Sequence, residues 1–175
     1  VMYHEVSSYA ESSAYQATTR GLGNNAYVMD FILPKEGVKP ENALKQYIQD
    51  ANPGMYNRYV KLDFPRFESG TKIKLNEVLR TVGITHLFQP ENQYDFCIFN
   101  EPSFIGIIQQ ETSISVSEKG VEAAAATANV PKIDAGETTP PDTVYMKLER
   151  PFFYTIRETS TNTPLFIGYQ GSVKK

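Results

Sequence analysis

An α+β fold, mainly antiparallel strands with a few short helices, is the class this sequence predicts, and three observations predict it. Apolar residues recur at period two in several separate runs, among them Tyr27, Met29, Phe31 and Leu33, and Val60, Leu62 and Phe64. Helical spacing is confined to two short stretches, one after Pro40 and one after Asn76. Hydrophobic residues make up 41% of the 175, with 12% aromatic, which suffices for one domain with a real core and suits a β-rich globule.

Residues 1 to 33 read as a meander. Tyr15-Gln16-Ala17 leads through the turn formers Arg20 to Asn25 into the run from Tyr27 to Leu33, where Val28 and Ile32 fill the alternate face. A strand apolar on both faces is one buried on both sides. Leu33-Pro34-Lys35-Glu36-Gly37 breaks it, and Pro40 then suits the first turn of a helix through Asp50 with Leu44, Tyr47 and Ile48 on one face. Asn52-Pro53-Gly54 stops that helix.

A strand through Val60, Leu62 and Phe64 ends at Pro65, and alternation resumes with Ile73 and Leu75. Asn76 is placed to cap a short helix, Glu77 to Val82, that Gly83 terminates. The run from Phe104 to Ser117 is predicted as one strand, with Ile108, Gln110, Thr112, Ile114 and Val116 toward a core and the alternate residues exposed. Val144 to Leu148 is a further short strand. Phe152 to Ile156 and Leu165 to Tyr169 form a hairpin turning through Glu158 to Asn162.

Composition removes several function classes. The formal charge is −3 with Lys and Arg scattered, so there is no basic footprint for nucleic acid. No apolar run approaches a membrane span, and Val1-Met2-Tyr3-His4 reads as an interior stretch with no charged-then-apolar leader. The single cysteine, Cys97, excludes an internal disulfide and sits among aromatics as a packed thiol. Neither His4 nor His86 has a partner at metal-ligand spacing, so no metal or cofactor is expected. There is no Gly-x-Ser-x-Gly elbow and no phosphate loop, which leaves an enzyme reading without a site.

The remaining feature is a long segment, residues 118–143, between two buried strands. A compact domain seldom keeps such a loop without using it. Its front half, Gly120-Val121-Glu122-Ala123-Ala124-Ala125-Ala126-Thr127-Ala128, lacks an apolar stripe for a helix and the bulk of a core strand. Together with Glu118 it resembles the hinge of the serpins, the suicide protease inhibitors. Met146-Lys147-Leu148-Glu149-Arg150-Pro151-Phe152-Phe153-Tyr154-Thr155-Ile156 is similar to the family signature after the loop, departing at Glu149, where the family usually has Asn, Asp or Gln. Pro164-Leu165-Phe166-Ile167-Gly168 resembles the last core strand. The resemblance covers nearly all of this chain but only the C-terminal half of the serpin fold. It implies that residues 1–175 are the C-terminal part of a single serpin domain, whose other half is absent or supplied by a companion N-terminal chain.

The resemblance implies a mechanism as well. A target endopeptidase, serine or cysteine, cuts a bait bond in the loop and is held as a covalent acyl complex while the hinge inserts as a new strand. Alternate residues point into the core beneath, here Val121, Ala123, Ala125, Thr127 and Asn129, all but Asn129 small or apolar enough to bury. Inserting about fifteen residues spans roughly 50 Å at strand rise. At about 1 kcal/mol of net gain per ladder bond, the release is on the order of 10 kcal/mol. Val121 replaces the usual Thr or Ser but stays β-branched.

The family's spacing from Glu118 puts the bait bond at Asp134-Ala135, while counting back from Pro151 puts it near Pro140-Pro141, where cleavage is implausible. Lys132-Ile133 is favoured, then Asp134-Ala135, then Ile133-Asp134; Lys132 suits a trypsin-like enzyme, Ile133 and Ala135 an elastase-like one. Arg66 is expected to pair with the hinge acid Glu118, and Gln110 occupies the gate position where the family usually has histidine. The alternatives are a non-inhibitory serpin-fold carrier or binding protein, and an inactive serpin fragment. An extracellular or cell-surface location follows from family analogy alone.

Overall fold

The computed structural model describes residues 2–50, 56–89, 104–117, 140 and 142–172. They fall into two compact units, one formed by residues 1–67 with 116–175 and the other by 68–115.

The first unit is a seven-stranded sheet. In chain order its strands are β1 (Met2–Glu11), β2 (Tyr15–Leu22), β3 (Tyr27–Pro34), β4 (Tyr56–Asp63), β7 (Val144–Lys147), β8 (Phe152–Glu158) and β9 (Pro164–Gln170), arranged β7-β4-β1-β2-β3-β8-β9. Its pairs are antiparallel except β4 with β7, which run parallel. The expected meander is β1 to β3. Ser12 Oγ accepts from the Ala14 and Tyr15 amides to close the first turn. The second turns through Gly23 and Asn25, both at positive φ, the region that glycine and asparagine tolerate best.

β3 is buried from Val28 to Pro34, as its two-sided apolar pattern requires. One face packs Phe31 against Phe64 at 4.9 Å between ring centroids, with Phe152 and Phe67 beyond. The other is closed by α1 (Pro40–Gln49), whose Ala43 joins Ala17, Ile32 and Tyr15 in one cluster. Pro40 opens the helix as predicted. Its buried stripe runs through Ala43 and Tyr47, so Ile48, expected inside, is 60% exposed. The close approach of helix to sheet selects the small residue over the branched one.

β9 is an edge strand with apolar residues on both faces, yet Leu165, Phe166, Ile167 and Tyr169 are exposed. It lies close to β8 because Gly168 faces Tyr154. A β-carbon at residue 168 would stand 2.1 Å from the Tyr154 ring.

The second unit holds β5 (Phe67–Lys74) and β6 (Gln109–Val116), paired in a two-stranded sheet, and α2 (Asn76–Thr81) with a 3-10 turn at His86–Phe88. Two expectations are corrected here. The strand begins at Gln109 rather than Phe104, because Ile108 is engaged by the helix: its amide donates to Asn76 Oδ1 at 2.9 Å and its carbonyl accepts from the Leu75 amide at 2.9 Å. Asn76 therefore does not cap α2; its amide group spans Ile108 and the Gly106 carbonyl. Gly83, at φ 91°, ends the helix as expected.

Candidate functional site

The segment 118–139 lies outside the described residues, and with it the hinge and the bait-bond candidates Lys132, Ile133, Asp134 and Ala135. What the structure defines is the framework at each end.

The leading end is β6. Thr112, Ile114 and Val116 are half-buried while Glu111, Ser113 and Ser115 are exposed, which is the predicted alternation. Lys72 pairs with Glu111 at 3.5 Å across the two strands, and Ser115 Oγ reaches Glu68 at 3.5 Å. Both contacts are solvent-facing and hold register more than they stabilise. Among the described residues this sheet has two strands, and no described strand pairs with β6 on the side away from β5. Gln110, expected on the core-facing side with Thr112 and Ile114, instead sits at the start of β6 with its side chain exposed, so the alternation sets in only from Glu111. Arg66 is exposed between β4 and β5; Glu118, its expected partner, lies outside the described residues.

The trailing end is tied down closely. The Thr143 amide and hydroxyl both donate to the Pro140 carbonyl, at 3.1 and 2.6 Å, and Asp142 faces Arg58 of β4 at 3.7 Å. β7 then adds to β4 in register, Val60 with Val144 through Asp63 with Lys147, and the Leu148 amide continues the ladder to the Asp63 carbonyl. Met146 and Leu148 are 0% and 1% exposed. Glu149, the residue that departs from the signature, points to solvent, where an acid costs nothing. Arg150 forks onto the Pro34 carbonyl, Nε at 3.2 Å and Nη2 at 2.8 Å, and approaches Glu36 at 3.6 Å. The segment after the loop is thereby clamped to the break after β3.

One cluster escaped sequence reasoning. Asp30, 1% exposed in the middle of β3, accepts from Arg157, Thr155 and Thr19. Tyr47 of α1 lies against the same carboxylate, and burial first, then that neighbouring charge, pushes its hydroxyl pKa upward. A lone Asp inside an otherwise apolar run was the available signal. Among the described residues, no group of three or more His, Cys, Asp or Glu is placed to hold a metal ion, and no helix is long and apolar enough to cross a membrane.

Comparison with known proteins bears directly on this framework. The family model described as serpin (serine protease inhibitor) matches residues 2–171. Iripin-8 of Ixodes ricinus is 30% identical over 149 residues, covering 82% of this chain and 37% of its own length. Serpin B11 of Homo sapiens is 31% identical over 152 residues, covering 83% of this chain and 38% of its own. Among solved structures, a thermophilic serpin, tengpin, in the native state superposes with a TM-score of 0.79 at 29% identity, over 99% of this chain and 46% of that one. The chain thus spans less than half the length of each of these three proteins.

Proposed function

The chain belongs to the serpin family, and from that premise we propose that the protein of which it forms the C-terminal part is a suicide inhibitor of a serine or cysteine endopeptidase. It is a trap rather than an enzyme. The observation that carries this reading is the edge of β6 with which no described strand pairs. That strand runs directly into the small-residue hinge, so residues 118–129 can fold back antiparallel beside it and extend the sheet. Every inward position from Val121 to Thr127 is small or apolar enough to enter. The trailing end, held by β4, Arg58 and Arg150, stays behind as the leading end moves, which separates the two sides of a cut loop. Lys132-Ile133 is the favoured bait bond, and Glu118 pairing with Arg66 is the proposed latch where insertion starts.

A serpin half cannot offer a complete sheet. We assign the exposed apolar residues of β9 to contact with the remaining half of the same protein, whether continuous or as a companion chain. Action outside the cell or at its surface belongs to the same proposal by analogy.

The test mixes the full-length protein with trypsin and, separately, an elastase, followed by denaturing electrophoresis and intact mass measurement. A band at the summed mass supports trapping, and the released C-terminal peptide identifies the bait bond. Quantitative cleavage with the protease left fully active would instead establish a substrate or non-inhibitory serpin, the carrier reading.

A further inference from the structure

β1 is in register with β2 only from Tyr9 to Glu11; from Met2 to Tyr9 it runs along β4 instead. The two strands diverge there, and between residues 5–8 of one and 19–21 of the other lies a cavity of about 520 Å³. Arg20 is buried in its wall at 6% exposure and ion-pairs through Nη1 with Glu5, whose side chain is 40% exposed. Ser7 Oγ donates to the same Glu5 carboxylate at 3.4 Å. Gly21 leaves β2 bare on this side, and a β-carbon there would collide with the Asn25 carboxamide, which closes part of the rim. Asn57 and Thr159, both exposed, line it as well. Polar and charged side chains thus make most of the lining, with Val6 and Val28 as its apolar ones.

We propose that this cavity is a binding site for a free α-amino acid with a polar side chain. A guanidinium is matched in shape and charge to a carboxylate, and one buried this deeply needs an opposite charge. Glu5 supplies that charge from a half-exposed position, so a ligand carboxylate can exchange with it on Arg20 while Glu5 takes up the ligand's ammonium. Every charge keeps an opposite partner through the exchange. Because Arg20 and Glu5 touch, the two ligand charges they receive must lie within a few bonds of each other. An α-amino acid has that separation; an extended peptide, whose charged ends are a chain length apart, does not. A ligand of one sign is disfavoured, since the pair is neutral as a whole. Around the pair, the Ser7 and Ser8 hydroxyls and the Asn25 and Asn57 carboxamides offer donors and acceptors to a polar side chain. The volume lies within the range of small-molecule sites, roughly 300–1,000 Å³. Another segment of the same protein would bury apolar surface here, and the walls hold little of it. The site stands independently of the inhibitory reading.

The experiment titrates the full-length protein calorimetrically with each common L-amino acid. The tightest binder is then compared with its α-amide, which lacks the carboxylate, and its N-acetyl form, which lacks the ammonium. A polar amino acid should bind, and each derivative should be weaker by about tenfold or more, the factor for losing one charge-assisted contact. Arg20→Lys keeps the charge but loses the planar fork and should weaken the amino acid about tenfold. Since Arg20 is buried and its replacement can disturb folding, Asn57→Trp gives a second reading from an exposed position. It fills the rim with a bulky ring and should abolish binding, with thermal unfolding of the protein alone unchanged. No binding by any amino acid, a derivative that binds as tightly as its parent, or binding that survives Asn57→Trp would overturn the proposal.

Discussion

Arg157 grips Asp30 with two parallel hydrogen bonds, Nε to Oδ2 at 2.7 Å and Nη2 to Oδ1 at 3.1 Å, across the β3–β8 pair. Thr19 and Thr155 hydroxyls donate to the same carboxylate at 2.6 and 2.9 Å. A carboxylate this buried is tolerable only because its acceptor sites are filled. Arg157→Ala leaves the charge uncompensated and should cost about 3–5 kcal/mol of stability. Pairing it with Asp30→Ala should recover part of that loss. Chemical denaturation of the two variants checks this, and a double variant no more stable than the single would refute it.

Gly168 and Tyr154 make a second tight relationship. A methyl at residue 168 would meet the Tyr154 Cζ and Oη at 2.1 and 2.2 Å, so the ring must leave its place between β8 and the core. Gly168→Ala should destabilise by about 1–3 kcal/mol. In a Tyr154→Leu background the same substitution should cost much less, because the clashing atoms are gone. Equal costs in the two backgrounds would show that the backbone rather than the ring sets the requirement.

The turn between β8 and β9 supplies a pH dependence. Glu158 accepts from the Thr161 hydroxyl and amide and from the Ser160 hydroxyl and amide, and these bonds hold its pKa at about 2 against an ordinary 4.5. A carboxylate depressed by folding contributes stability that is complete above its unfolded pKa and is lost as pH falls through the folded one. The contribution of Glu158 should therefore be full above pH 4.5 and fall away between there and pH 2. Melting temperatures measured from pH 6 to pH 2 should drop further in the wild type than in Glu158→Gln. Parallel curves would exclude the turn as the cause.

Much of this fold was legible because its signals are local. Period two along β3 and β4, Pro40 at a helix start and Gly83 at a helix end each act within a few residues, and the structure places them as read. Signals that depend on a partner were not legible. Asn76 looks like a cap in isolation and becomes a bridge only because Gly106 and Ile108 are brought beside it. Ile48 fits a helical stripe, but which stripe docks was decided by how closely α1 approaches Ala17 and Ile32. Asp30 and Arg157 are far apart in sequence and meet only through sheet pairing. Of the candidate site, the framework strands were readable from alternation, whereas the Arg150 fork onto the Pro34 carbonyl required the topology.

The hinge offers the most direct separation of trap from substrate. If residues 118–129 enter beside β6, each inward side chain passes into a layer that holds no solvent for a charge. Ala125→Arg places a guanidinium there with no partner in the inserted strand, a burden of several kcal/mol set against a total release on the order of 10 kcal/mol. Insertion would slow past the lifetime of the acyl bond, and the enzyme would complete hydrolysis. Ala124→Arg, one residue away, puts the same charge on the outward face. The expected outcome is that the Ala125 variant is cut normally and traps little or no protease, while the Ala124 variant traps close to wild-type amounts. Both are scored by the ratio of covalent complex to cleaved protein on a denaturing gel. Equal ratios for the two variants would mean that the hinge does not enter a sheet with this alternation, and the case for a strand-inserting inhibitor would lose its central step.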